Sequence, residues 1–240
     1  MGTSIDESDK PYVVPVNVDF SSVIFSSFPP GPIAATSVPY NAVESGNERA
    51  SGGTAMSANA CRAWYEEDPI LEEYHDCEWC QVNHDDRFQF EMLCLEGASV
   101  GLSWKTIMRK REAYKSAFHG FDLDACAAMT DGELESLMGN PGIIRNRSKI
   151  FSVRKNAQAI KAIQAEFGSF DAYLWGFVDG KRIDGRWKTT AEMPAVSDVS
   201  RKMSADMKKR GIGFVGPVIT YSFMQSIGIV NDHLADCPCR

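Results

Sequence analysis

Two groups of cysteine and histidine bracket most of this chain, and they constrain its fold more than anything else in it. Cys61, His75, Cys77 and Cys80 stand where a helical pattern begins, and His233, Cys237 and Cys239 stand where the chain ends. A structural zinc ion takes four nitrogen or sulfur ligands in a tetrahedron, so two from each group would staple the start of the helical region to its end. His233 and Cys237 are four residues apart, which lets one helical turn deliver both to the same side. The rival readings are a redox pair at Cys77 and Cys80, for which the surrounding βαβ pattern is missing, and plain free thiols.

Seven cysteines is an odd number, and the chain opens with Asp6, Glu7 and Asp9 rather than with a basic stretch followed by an apolar one. No secretory signal is read there, so the expected setting is intracellular and reducing: cytoplasmic in a bacterium, nuclear or organellar in a eukaryote. The longest apolar run, residues 215–230, is broken by Gly216, Pro217, Thr220, Ser222, Gln225, Ser226 and Gly228, which argues against a membrane span.

Residues 1–58 read as a disordered or weakly ordered extension. Pro11, Pro15, Pro29, Pro30, Pro32 and Pro39 interrupt every apolar run there, and such a stretch cannot bury enough surface to offset its ordering entropy. Residues 59–240 read as one all-α domain. Phe88, Met92 and Leu95 fall on one helical face, with Gly97 as a stop. Ser103 caps a helix carrying Ile107, Met108, Tyr114 and Phe118, and Thr130 with Glu133 forms a capping box. Ile150, Val153, Ala157, Ile160 and Phe167 make a stripe ending at Gly168, and a short helix is expected around residues 172–178. Ser197 caps a helix that stops at Gly211. Pro217 opens a last, nearly all-apolar helix, read as the buried central one.

Charge is unevenly spread over a net −7. Residues 61–100 carry eleven acids against two bases, whereas residues 142–165 carry Arg145, Arg147, Lys149, Arg154, Lys155 and Lys161 and no acid. That run is either a solvated helix face or a surface for a polyanion. It includes Gly142, Ile143, Ile144, Arg145 and Arg147, which lie between two expected helices. A glycine turn leading into a helix N-terminus is a site for phosphate and resembles a helix–hairpin–helix DNA-backbone module; a plain turn between helices is the alternative. Gly211-Ile212-Gly213 is read as a helix stop only. Trp64, Tyr65, Tyr74, Trp79 and Trp104 lie close in sequence among Glu78, Glu91 and Glu96. Aromatic faces beside a fixed carboxylate suit a flat, cationic or hydrogen-bonding ring, though core tryptophans and a helix-end acid would produce the same pattern.

The segments DPILEEYHDCEW, FEMLCLEGASVGLSW, REAYKSAFHGFD, GIIRNRSKI, KKRGIGFVG and YSFMQSIGIVNDH resemble the DNA-3-methyladenine glycosylase I family in order and spacing, from about Cys61 to Cys239. The resemblance implies an all-α, helix–hairpin–helix glycosylase with one structural zinc joining the two ends of the domain. It implies hydrolysis of the N-glycosidic bond of 3-methyladenine in alkylated double-stranded DNA, with no lyase step. Nothing in the sequence indicates an oligomer, and a monomer is expected. Carried over by position, the zinc ligands are Cys61, His75, His233 and Cys237. Glu96 hydrogen-bonds the extruded base, Tyr74 and Trp104 line its pocket, Trp64 stacks nearby, and Gly101 and Leu102 face the duplex where the base leaves. Two residues, Arg62 and Ala63, separate Cys61 from Trp64 where the family usually has one, which keeps Cys77 and Cys80 as alternative ligands. Cys80 stands where glycine is usual, and Leu71 where an aromatic is common.

These residue types fit that chemistry. A base inside a duplex must be extruded at a cost of a few kcal/mol, and aromatic stacking returns about 1–3 kcal/mol per base. Methylation at N3 leaves the base positively charged in the nucleotide, so it departs neutral and needs little acid catalysis. Recognition and positioning then dominate, with water as nucleophile. Glu96 is expected to accept hydrogen bonds from the adenine edge and to stabilise positive charge, not to attack. A lesion-binding module of the same fold that does not cleave is the alternative reading. Zinc-dependent hydrolysis is disfavoured, because four protein ligands leave no open position for water.

Overall fold

The structure, a computed structural model, describes Cys61 and residues 68–240. The expected extension over residues 1–58 and the expected pocket residue Trp64 lie outside the described residues. Ten helices are described: α1 (Pro69–Cys77), α2 (Asp86–Ser99), α3 (Trp104–Met108), α4 (Arg111–Ala117), α5 (Leu123–Ala128), α6 (Asp131–Ser136), α7 (Arg147–Phe167), α8 (Phe170–Gly176), α9 (Asp198–Lys209) and α10 (Pro217–Ser226). The only strands among the described residues are β1 (Ile183–Asp184) and β2 (Val230–Asn231), paired in parallel with Ile183 opposite Val230. No described helix is long and apolar enough to cross a membrane.

Helix starts follow local capping chemistry. Asp68 accepts from the Ile70 amide ahead of Pro69 in α1, Asp85 from Phe88 in α2, and Asn146 from Lys149 in α7. The expected capping box closes at the start of α6, with Thr130 and Glu133 exchanging hydrogen bonds. Each such cap satisfies an amide that the helix itself leaves unpaired, worth about 1 kcal/mol.

The most enclosed helix is α2, not α10. Every residue from Gln89 to Ala98 is buried, with α3, α7, α8 and α10 packed around it. Gly97 lies inside α2 rather than at its end. A Cβ there would sit 3.1 Å from the Cβ of Phe214, so the glycine marks a close approach and not a stop. The face of α10 bearing Val218, Ile219, Ser222 and Gln225 is left partly open, and three of these residues border a cavity. An apolar helix beside an internal cavity has the same composition as a fully buried one, which explains the difference.

Two further expectations shift. The helix predicted from Ser103 to Phe118 is two helices, α3 and α4, separated at Arg109 and Lys110. The α7 stripe continues through Ile163, while Phe167 is 37% exposed beneath the Arg210 guanidinium, 4.8 Å from its ring centre. Asp86, at the head of α2, accepts from the amides of Phe170 and Asp171, which fixes α8 against α2. The result is an enclosed α2 whose C-terminal half, carrying Glu96, ends at the cavity.

Candidate active site and metal centre

Cys61, His75, His233 and Cys237 come together, all buried, with their ligand atoms within 4.8 Å of one another. His75 reaches this group from α1, and His233 and Cys237 reach it from the segment after β2. Cys61 Sγ is 3.3 Å from His75 Nε2 and 3.7 Å from His233 Nδ1. Cys237 Sγ is 4.0 Å and 3.4 Å from the same atoms. A tetrahedral ion with Zn–S and Zn–N bonds of ordinary length has S···N edges of about 3.6 Å, so the group has the size of such a site.

The outer partners also fit. His75 Nδ1 lies 2.7 Å from the Asp76 carboxylate, and His233 Nε2 lies 3.0 Å from the Trp79 carbonyl. Each imidazole is thereby turned so that its other nitrogen faces the group, the usual arrangement around a bound metal. The Leu234 amide also points at Cys61 Sγ, at 3.4 Å. Burial raises the Cys61 thiol and pushes Cys237 up to about 11, and burial with the neighbouring His75 holds His233 down near 4. Two thiols and a neutral imidazole are thus favoured at neutral pH, and a divalent cation would displace the thiol protons. The alternative ligands are elsewhere: Cys77 is exposed, and Cys80 Sγ accepts from the Asp232 amide at 3.3 Å.

A cavity of about 420 Å³ lies alongside. Tyr74 of α1, Glu96 and Ser99 of α2, Leu102, Trp104 of α3 and Trp79 form part of its wall. Ile219, Ser222 and Gln225 of α10, with Thr190 and Met193 from the segment after β1, form the rest. The Tyr74 and Trp104 rings are 5.6 Å apart and inclined at 56°. The Glu96 side chain is 6% exposed and has no hydrogen-bond partner among the described residues, and burial raises its carboxyl to about 8. The Trp104 indole N–H is buried and also unpartnered. Burial together with the Glu96 charge pushes the Tyr74 hydroxyl well up, so it remains a phenol. Unpaired polar groups in an aromatic cavity are costly unless a ligand pairs them. The space and chemistry suit a flat, nitrogen-rich ring.

Trp79 belongs to the aromatic group expected around a ring pocket, although the family resemblance gave it no role of its own. It borders the cavity, stacks on His75 at 5.6 Å and 28°, and meets the His233 ring edge-on at 4.8 Å. Ser222 and Gln225 were missed. They are polar positions three apart in an apolar helix, which in sequence read only as interruptions of the apolar run.

Gly101 and Leu102 form the turn between α2 and α3, with Leu102 44% exposed at the cavity rim. In the turn before α7, Ile143 is buried and Ile144 partly so. The amides of Gly142, Ile144, Asn146 and Lys149 donate to Asn140, the Tyr114 hydroxyl, the Ile144 carbonyl and Asn146. Four amides of this turn are therefore already engaged, while those of Ile143, Arg145, Arg147 and Ser148 have no acceptor among the described residues, so its offer to an anion combines backbone N–H groups with side-chain charge. Arg145 is exposed with no ion pair among the described residues, whereas Arg147 pairs with Glu135 and lies over the Phe151 ring. The Lys149 ammonium donates to the carbonyls of Ala98 and Val100 at 2.9 and 2.7 Å, tying α7 to the end of α2 next to Gly101. The Gly211–Gly213 turn is more than a stop: Asn156 accepts from the Gly213 amide at 2.8 Å, and the turn sends α10 back along α9.

Residues 64–240 match the family model for methyladenine glycosylase. The DNA-3-methyladenine glycosylase of Haemophilus influenzae is 42% identical over 177 residues, which cover 74% of this chain and 96% of that protein. DNA-3-methyladenine glycosylase 1 of Escherichia coli is 42% identical over 73% of this chain and 94% of its own length. The structure of 3-methyladenine DNA glycosylase I from Staphylococcus aureus, solved to explain 3-methyladenine recognition, superposes with a TM-score of 0.74 at 37% identity, covering 76% of this chain and 97% of that one. With fold, cavity and buried Cys/His group in agreement, the chain belongs to the DNA-3-methyladenine glycosylase I family.

Proposed function

We propose that this protein is a monofunctional DNA glycosylase that hydrolyses the N-glycosidic bond of 3-methyladenine in alkylated double-stranded DNA, the first step of base-excision repair. One observation carries this reading: a buried Glu96 carboxyl, without a partner among the described residues, in a cavity shared with Tyr74 and Trp104. A carboxylate there accepts hydrogen bonds from the adenine edge and stabilises the positive charge of the methylated nucleotide, while the aromatic rings hold the base out of the stack. The bond is already weakened by that charge, so water is the attacking nucleophile. Glu96 acts by charge and position, and Tyr74, with its hydroxyl kept protonated, can donate to a ring nitrogen. Water rather than a lysine amine is assigned as nucleophile, so no Schiff base forms.

Leu102 at the rim is assigned to face the gap left by the extruded base, with Gly101 allowing the sharp turn that presents it. Arg145 supplies phosphate contact, and Arg147 and Lys149 shape the same surface. We assign one structural zinc ion to Cys61, His75, His233 and Cys237, where it would hold the two ends of the domain together. With four protein ligands it has no open position and no part in the hydrolysis. The protein is assigned to act on DNA as a monomer, inside the cell.

The test is incubation of the metal-loaded chain with methylated duplex DNA. Free 3-methyladenine should appear, with abasic sites that break only on alkali treatment. Strand breakage without alkali would refute the monofunctional assignment. Tight lesion binding with no base released would make the protein a binding module.

A further inference from the structure

The hydrogen bonds around Asp232 fix how Gln225 presents itself to the cavity. Asp232 is fully buried and takes three donors: the Trp187 indole N–H on Oδ1 at 2.7 Å, and the Tyr221 hydroxyl and Gln225 Nε2 on Oδ2 at 2.8 and 2.7 Å. An indole N–H can only donate, so Oδ1 must accept. The Tyr221 hydroxyl is pushed well up by burial and by Asp232, so it remains a phenol that donates. With both Asp232 oxygens accepting, the Gln225 amide has one sensible orientation. Its NH2 faces Asp232, and its carbonyl oxygen, which has no partner among the described residues, faces away. Because Gln225 lines the cavity, that oxygen is a fixed acceptor available to a ligand. The packing here is tight: a Cβ on Gly185 would lie 2.2 Å from the Trp187 Nε1 and 2.6 Å from Asp232 Oδ1.

We infer that Gln225 is a specificity-determining residue that favours an amino-bearing purine over an oxo-bearing one, and that Asp232 is its positioning residue. This rests on the glycosylase reading of the same cavity. The exocyclic amino group of an adenine has two N–H donors, enough for two acceptors, and Glu96 and Gln225 supply two. A guanine presents a carbonyl oxygen at that position and would meet an acceptor with an acceptor. A site built to pair a donor rejects an analogue lacking it, because its own buried groups are then left unpaired.

Asp232→Asn makes a directional prediction. The Trp187 indole holds the new side-chain oxygen at the Oδ1 position, so the new NH2 replaces Oδ2. It then donates towards Gln225, whose amide must turn over and present its NH2 to the cavity. The acceptor becomes a donor, which suits the carbonyl of a guanine. Gln225→Met keeps the shape and removes both polar atoms.

Equilibrium binding of free 3-methyladenine and free 3-methylguanine to the metal-loaded full chain, wild type and both variants, reads this directly. In wild type 3-methyladenine should bind tighter. Asp232→Asn should move the adenine-to-guanine ratio at least about tenfold towards guanine, and Gln225→Met should weaken adenine about tenfold while leaving guanine no weaker than in wild type. A merely structural role would weaken both bases alike, and an unchanged ratio in both variants would overturn the inference. If Asp232→Asn does not fold, the Gln225→Met ratio decides alone. Wild-type protein that prefers 3-methyladenine yet releases none from DNA would overturn the glycosylase reading and leave the inference standing. Binding of neither base would overturn both.

Discussion

Tyr74 and His75 are consecutive residues of α1 that serve different centres: His75 Nε2 points at Cys61 Sγ, 3.3 Å away, while the Tyr74 ring lines the cavity in tilted contact with Trp104 at 5.6 Å. Side chains one residue apart on a helix are turned about 100° from each other, so one short helix can supply both sites. Trp79 adds a second link, bordering the cavity while its carbonyl orients His233. Anchoring the metal group therefore also fixes a wall of the base cavity.

Removal of the metal should consequently loosen the cavity as well as the fold. Elemental analysis should find about one zinc per chain, and chelation or Cys237→Ala should lower Tm by about 10 °C or more. Cys77→Ala should keep the metal and the Tm, since that thiol is exposed and outside the group. Metal retained in Cys237→Ala and lost in Cys77→Ala would contradict the assignment.

Glu96 makes the protein less stable as pH rises. Its folded-state pKa of about 8 lies above the unfolded value near 4.5, so the folded state holds the proton longer. Stability from this group is fully present below about pH 4.5 and is lost as pH rises towards 8. Glu96→Gln should remove that slope and raise stability at pH 8 by on the order of 3 kcal/mol, measured by urea unfolding of both proteins across this range. Equal pH slopes in the two proteins would show that Glu96 is not an uncompensated buried acid.

The same titration bears on catalysis. With ionised Glu96 required to meet a cationic base, kcat/KM should rise with pH and level off near 8, a limb absent in Glu96→Gln. Salt held constant, this profile on methylated duplex DNA is the check, and a flat profile in wild type would remove the carboxylate from the rate.

Arg145 and Lys149 should separate on mutation although both are bases of one run. Arg145→Ala should weaken DNA binding regardless of sequence and reduce the salt slope by about 1, because Arg145 is exposed and has no ion pair among the described residues. Lys149→Ala should leave the slope nearly unchanged and slow base release, because its ammonium holds the Ala98 and Val100 carbonyls beside the Gly101–Leu102 turn. A full unit of salt slope lost in Lys149→Ala would place that charge on phosphate instead.

Local chemistry was legible where one or two residues decide it. The caps at Ser103, Thr130 and Ser197, the stop at Gly168 and the proline entry to α10 all depend on short-range hydrogen bonds and backbone geometry, and they stand as expected. What depends on distant neighbours was not legible. Gly97 reads as a stop until Phe214 is seen against it, and Lys149 reads as a free charge until the end of α2 is seen beneath it. The metal group illustrates both sides. Spacing alone left several cysteines open, the family resemblance named four residues, and the fold brings those four together while Cys77 and Cys80 stand apart. Gln225 was invisible as a site residue, because its orientation follows from Asp232 and Trp187, which no sequence pattern connects to the cavity.

The most direct test is single-turnover release of 3-methyladenine from methylated duplex DNA by wild type and Glu96→Gln, both folded and metal-loaded. Release by wild type, slowed about a hundredfold or more in the variant, is the predicted result. Equal release by both proteins would contradict the central claim that the buried Glu96 carboxylate drives base excision.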